Sequence, residues 1–229
     1  MHNTIIVPEI RARYTKLKGG REFAFNEIDP SKTAHLIVDM QNGFMLEGTS
    51  LEVPIARSIV NNINSIAHAL RENEGVNIFL RFTTTTTSEW SVYFENFQAE
   101  NFSKAQVEAF SKDSHLHKLY KELDIKEPDL IVDKTRFSPF TQGSSNALEI
   151  LKERGIDTVL ISGTLTNCCC EATARDAQQL GFRVIFISDA NAALSDYEHN
   201  TSINSLAALF ADIRTTKQTI ELILGENTD

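Results

Sequence analysis

Residues 158–177, TVLISGTLTNCCCEATARDA, constrain this chain more than any other stretch. An apolar, β-branched run (Thr158 to Ile161) breaks at Ser162-Gly163 and passes into an alanine-rich segment of good helix formers, the pattern of strand, tight turn and helix. Cys168, Cys169 and Cys170 fall where that helix is expected to begin. A helix N-terminus carries roughly half a positive charge and unpaired N–H groups, so it favours a thiolate and can hold an oxyanion. Successive helical residues point about 100° apart, so at most one of the three thiols faces a cleft. The local pattern does not choose which, and buried packing accounts equally well for all three. A zinc site is disfavoured because adjacent helical positions do not converge on one ion.

The same alternation recurs along the chain. Short apolar runs at 34–40 (AHLIVDM), 76–82 (VNIFLRF), 130–134 (LIVDK) and 183–190 (RVIFISDA) read as strands, with DIRTT (212–216) as an edge strand. Helical spacing is expected over 54–72, 145–155, the segment ending at Leu180-Gly181, 198–211 and a short final helix. Such alternation implies right-handed crossovers and a three-layer α/β/α sandwich around a mostly parallel sheet of about six strands. Residues 1–32 read as a polar, irregular arm, and 33–229 as one domain. An aromatic-rich insertion over 88–125 interrupts that domain, with helical KAQVEAF and HLHKLYKEL segments.

A formal net charge of −9 argues against nucleic-acid or anionic-membrane partners and points to a small-molecule substrate. There is no charged, apolar, small-residue leader pattern and no run of ~18 apolar residues, so a cytoplasmic protein is expected. Three clustered cysteines make no disulfide framework, in keeping with a reducing compartment.

In an open parallel sheet, ligands bind beyond the carboxyl ends of the strands. That rule selects Asp39, Lys134 and the cysteines after Ile161, which are remote in sequence but share one sheet edge. LIVDMQNGF (36–44), VDKTRFSPF (132–140) and SGTLTNCCCEATARDA (162–177), in that order, closely resemble the isochorismatase-like cysteine hydrolases. The similarity is nearest to the N-carbamoylsarcosine amidase and ureidoacrylate amidohydrolase type. In the family's cysteine motif, Gly163, Thr166, Cys169, Thr173 and Ala174 match, which implies that Cys169 is the nucleophile.

The resemblance further implies Asp39 as general base and Lys134 as its partner. It implies an oxyanion hole from the backbone N–H groups of Leu165 and Cys169, with a cis Thr164–Leu165 peptide. Cleavage of a C–N bond in an amide, carbamoyl or ureido compound through a thioester follows, with no cofactor. Hydrolysis of another bond, or small-molecule binding without catalysis, are the alternatives. A homodimer or homotetramer is also implied.

Gly43 stands where the family usually has a second acid. RFTTTTTSEW (81–90) lacks the histidines that hold a metal in nicotinamidases, so no metal is expected. His115, His117 and His199 are expected at the surface or in caps. Phe44, Arg136, Phe137 and Asn167 are candidate substrate contacts, with Arg81, Trp90 and Gln142 further within reach. Arg136 suits a substrate carboxylate or, equally, a structural ion pair.

Overall fold

The computed structural model describes residues 1–226; the end of the expected domain, 227–229, lies outside the described residues. Six strands form one sheet: β1 (Thr33–Val38), β2 (Val76–Phe82), β3 (Leu130–Lys134), β4 (Thr158–Thr164), β5 (Arg183–Ala192) and β6 (Asp212–Arg214), in the order β3-β2-β1-β4-β5-β6. Every pairing is parallel. Strand order reverses between β1 and β4, where the loops leaving the two strands diverge and a crevice opens. The helices are α1 (Pro8–Leu17), α2 (Asn42–Met45), α3 (Val60–Glu72), α4 (Glu100–Ala109), α5 (Ala147–Glu153), α6 (Glu171–Gln179), α7 (Asp196–Leu209) and α8 (Thr216–Ile223).

The strands are apolar throughout because both sheet faces are covered. Leu36, Ile78, Val159, Ile161 and Val184 meet α5, α6 and α7 through Leu151, Ala174, Ala177, Ile203 and Leu206. The alternate residues Ile37, Phe79, Leu160 and Ile185 meet α3 and α8 through Ile63, Ile66, Leu70 and Ile223. This is the expected sandwich. β1 and β4 approach so closely that a Cβ on Gly163 (φ +118°) would stand 2.1 Å from the Val38 carbonyl oxygen, so only glycine fits there.

Several local expectations need correction. The N-terminal segment is not irregular: a proline at its first turn starts α1, and the residues before it run along α7. HLHKLYKEL forms no helix beyond one short turn at His115–His117, because Leu119 bridges Gln41 and the Tyr120 amide donates to the Met40 carbonyl. Residues 54–59 form a tighter 3₁₀ turn ahead of α3. The last expected crossover helix runs over 196–209 rather than 198–211, capped by the Ser195 hydroxyl.

Candidate active site

Asp39 directly follows β1, and Lys134 ends β3. Both are fully buried, and Lys134 Nζ donates to Asp39 Oδ2 at 2.8 Å and to the Arg136 carbonyl at 3.1 Å. Asp39 sits in the left-handed region at φ 51°, tethered by its amide to the Leu80 carbonyl at 3.0 Å. An aspartate tolerates this backbone better than most residues, and such conformations concentrate at functional sites. The other carboxylate oxygen, Oδ1, is buried with no hydrogen-bond partner among the described residues, and the Cys169 thiol lies close enough to the Asp39 carboxylate to act on its pKa. Burial raises the Asp39 pKa; Lys134 and Cys169 oppose that without cancelling it. For Lys134, burial acts downward, but the charges of Asp39 and Cys169 hold it above the ordinary value.

The cysteines do not begin the α-helix directly. Thr166–Cys170 form a wide, five-residue π-type turn, and α6 starts at Glu171. Thr173 Oγ1 donates to the Cys169 carbonyl at 2.6 Å, which anchors the turn to α6. Just before it, the Thr164–Leu165 peptide is cis. Cys169 and Cys170 are buried and Cys168 is partly open. A hydrogen bond shared with Cys168, then burial and the Asp39 charge, push Cys169 well up. Cys168, as the acceptor from Cys169, is pulled down, with Lys134 helping. The two thiols therefore titrate as a pair.

Of the candidate substrate contacts, Phe137 packs edge-on to Trp90 at 4.7 Å and Tyr93 at 5.2 Å. Among the described residues Arg136 forms no ion pair. Its guanidinium lies 5.1 Å over the Trp90 ring and donates to the Glu89 and Thr135 carbonyls, each at 2.8 Å. Phe44 stacks on Phe110 at 4.7 Å and is half-buried, while Asn167 and Gln142 are exposed. Arg81 is engaged by Asp133, with Nε 2.8 Å from Oδ1.

Gly43, where the family acid is absent, has no room for a side chain: a Cβ would lie 2.7 Å from Phe110 Cζ. The insertion thus supplies bulk at that turn and leaves it tight. His117 and His199 are buried rather than superficial, hydrogen-bonded to Thr83 Oγ1 at 2.8 Å and Thr166 Oγ1 at 3.0 Å. Among the described residues no His, Cys, Asp or Glu cluster is arranged to hold a metal ion, and no helix is long and apolar enough to cross a membrane.

Two contributors were not singled out from the sequence. Gln41 clamps β2 and the insertion together, accepting from the Phe82 amide at 2.7 Å and donating to the Phe82 and His117 carbonyls at 2.9 Å. Tyr93 brings the insertion over the thiols: burial raises its phenol, a hydrogen bond with Gln106 opposes that, and the charges of Cys168 and Cys169 add to it. Both lie in motifs visible in the sequence, but their partners are set only by tertiary folding. Elsewhere, a groove of about 820 Å³ between α1 and α7, lined by Val7, Ile10, Arg13, Tyr197 and Leu209, carries no thiol, carboxylate or imidazole among the described residues.

Among curated proteins, Nicotinamidase 3 of Arabidopsis thaliana is 27% identical over 83% of this chain and 89% of its own. Ureidoacrylate amidohydrolase RutB of Agrobacterium fabrum is 24% identical, covering 82% of this chain and 88% of its own. A cysteine hydrolase structure from Pseudomonas syringae pv. phaseolicola superposes with a TM-score of 0.79 at 28% identity, over 87% of this chain and 95% of that one. The family model of the isochorismatase domain matches residues 33–218, which span the whole sheet and the site at its edge, and the chain belongs to the isochorismatase family.

Proposed function

We propose that this protein is a cysteine amidohydrolase that cleaves the C–N bond of a small amide, carbamoyl or ureido compound through a thioester. The observation that carries the reading is the buried Asp39–Lys134 pair at 2.8 Å beside the Cys169 thiol. The hydrogen bond with Cys168 and burial raise the Cys169 thiol, and burial raises the Asp39 carboxyl, so the thiol holds its proton until attack, when the neighbouring carboxylate takes it, and no free thiolate has to be maintained. Cys169 Sγ attacks the carbonyl carbon while its proton passes to Asp39. The oxyanion is met by the N–H groups of Leu165 and Cys169. The C–N bond then breaks as Asp39 returns the proton to the nitrogen, and ammonia or an amine leaves. Water attacks the thioester, giving one proton to Asp39, and the acid departs as Sγ is reprotonated. Lys134 keeps Asp39 ionised between proton transfers. Activities of the relatives support the C–N class, including a nicotinamidase and a ureidoacrylate amidohydrolase.

The test is ammonia release from a panel of primary amides, N-carbamoyl compounds and ureido acids, with Cys169→Ala and Cys168→Ser run in parallel. Ammonia formed by the wild type and by Cys168→Ser, and lost in Cys169→Ala, supports the reading. Loss in Cys168→Ser with turnover retained in Cys169→Ala moves the nucleophile by one residue. A silent panel together with an iodoacetamide-inert Cys169 removes the catalytic reading in favour of binding alone.

A further inference from the structure

The N-terminal segment reaches the cysteine turn through one buried histidine. His199, on the first turn of α7, is fully buried. One ring nitrogen, Nδ1, lies 3.0 Å from Oγ1 of Thr166, the residue that opens the Thr166–Cys170 turn. The other, Nε2, lies 3.2 Å from Thr4 Oγ1 in the arm. Burial, with His2 adding to it, pushes the His199 pKa down to about 4, so at neutral pH the ring carries one proton. It therefore donates to one threonine hydroxyl and accepts from the other.

The arm is held in register for this contact by independent bonds. Asn200 Oδ1 accepts from the Ile5 amide at 2.7 Å, and Asn204 Oδ1 from the Val7 amide at 2.8 Å. Asn200 Nδ2 donates to the Asn3 carbonyl at 2.9 Å and Asn204 Nδ2 to the Ile5 carbonyl at 2.8 Å. Two asparagines one helical turn apart thus read the arm's backbone as a sheet neighbour would. The His2 ring stacks on His199 with centroids 4.4 Å apart. Its Nε2 accepts from the Ala193 amide at 2.9 Å, so its proton sits on Nδ1, 2.7 Å from Asp196 Oδ1. Ala193 directly follows β5, whose last residue, Ala192, pairs with Thr164 in the cis peptide.

We propose that the arm is a latch for the nucleophile turn, with His199 as a positioning residue that acts through Thr166 and is itself held by Thr4 and His2. This rests on Cys169 being the nucleophile. The turn is a single wide loop of backbone between β4 and α6. Its first residue is pinned by His199 and its fourth by Thr173, which fixes the direction of the Cys169 thiol toward Asp39. Loosening either pin alters the approach of Sγ rather than the pocket that binds substrate, so the cost falls on turnover and not on KM.

The experiment uses the full chain with Thr166→Val, Thr4→Val, His199→Asn and His199→Gln, scored by peptide-resolved alkylation of Cys169 with iodoacetamide and by kcat and KM. Asparagine presents its amide near the Nδ1 position and glutamine near Nε2. His199→Asn therefore keeps the Thr166 contact and is expected within about three-fold of the wild type, whereas His199→Gln and Thr166→Val each lose about ten-fold or more in alkylation rate and kcat with KM little changed. Thr4→Val gives a smaller loss, and its effect disappears in the Thr166→Val background because both act along one line. Equal behaviour of His199→Asn and His199→Gln at equal thermal stability, or unchanged alkylation in Thr166→Val, overturns the latch. Because alkylation needs no substrate, a protein with a responsive latch but no hydrolysis on any panel compound would sink the proposed reaction while leaving the latch standing.

Discussion

Replacing Lys134 by methionine removes the cation 2.8 Å from Asp39 while nearly filling its space with an apolar chain of similar length. Both side chains are fully buried, so water does not take over the lost role. At an effective dielectric of ~20, the direct attraction is about 6 kcal/mol, and breaking buried pairs by removing one partner costs about 3–5 kcal/mol. The variant limits this loss by protonating Asp39, whose pKa is already raised by burial and rises further without its cation. The sign follows from proton binding. With a folded pKa above the unfolded value of about 3.9, the folded state holds the proton more tightly, so the variant is most stable in acid and weakens as pH rises. Urea midpoints at pH 5 and pH 8 should show a deficit against the wild type that grows with pH, at constant m. A double variant, Asp39→Asn with Lys134→Met, should recover most of the stability because no buried charge remains. It should still have no turnover, since the proposed general base is gone and such bases contribute about 10² to 10⁴ in rate. If Lys134→Met at pH 8 lies within about 1 kcal/mol of the wild type, or the double variant is no more stable than the single one, then the pair is not the desolvated, mutually dependent unit argued above.

Gly43→Ala drives a Cβ to 2.7 Å from Phe110 Cζ and should cost about 1–3 kcal/mol in urea unfolding; pairing it with Phe110→Leu should recover part of that, and strict additivity would mean that the ring is not the obstacle. His35 is fully buried against Ser162 Oγ at 2.7 Å, and burial pushes its pKa down to about 3, so the unfolded chain binds a proton that the folded one refuses. Stability should therefore fall as pH drops from about 6.5 toward 3, and a His35→Leu variant should show a slope shallower by about 1.4 kcal/mol per pH unit across that window, read from urea midpoints.

The parts of the site that were legible in advance are those written as local pattern. Asp39 and Lys134 could be found because both faces of a parallel sheet are covered, so a charged residue interrupting an apolar run marks the strand's end, and strand ends in such a sheet share one edge. Gly163 and the cysteines were legible for a related reason, since a strand that breaks into a helix must turn there. His199 carried no such mark: a lone histidine in a polar, helix-forming stretch looks the same whether it faces water or a threonine 33 residues earlier. The arm was misread because its order comes from α7. Its polar backbone groups are satisfied by Asn200 and Asn204, residues about 195 positions away, and propensity contains no information about partners at that distance. The insertion was misread in part for the converse reason. HLHKLYKEL has helical spacing, yet Gln41 and the Met40 carbonyl engage its backbone in extended form, and those bonds are available only once β1 and β2 are in place. What the sequence leaves out is thus the set of tertiary partners around the cysteine turn and the acid: His199 on Thr166, Gln41 at the acid's loop and Tyr93 above the thiols. Each joins two segments remote from one another, so how the cysteine turn lies relative to Asp39 depends on contacts between distant parts of the chain.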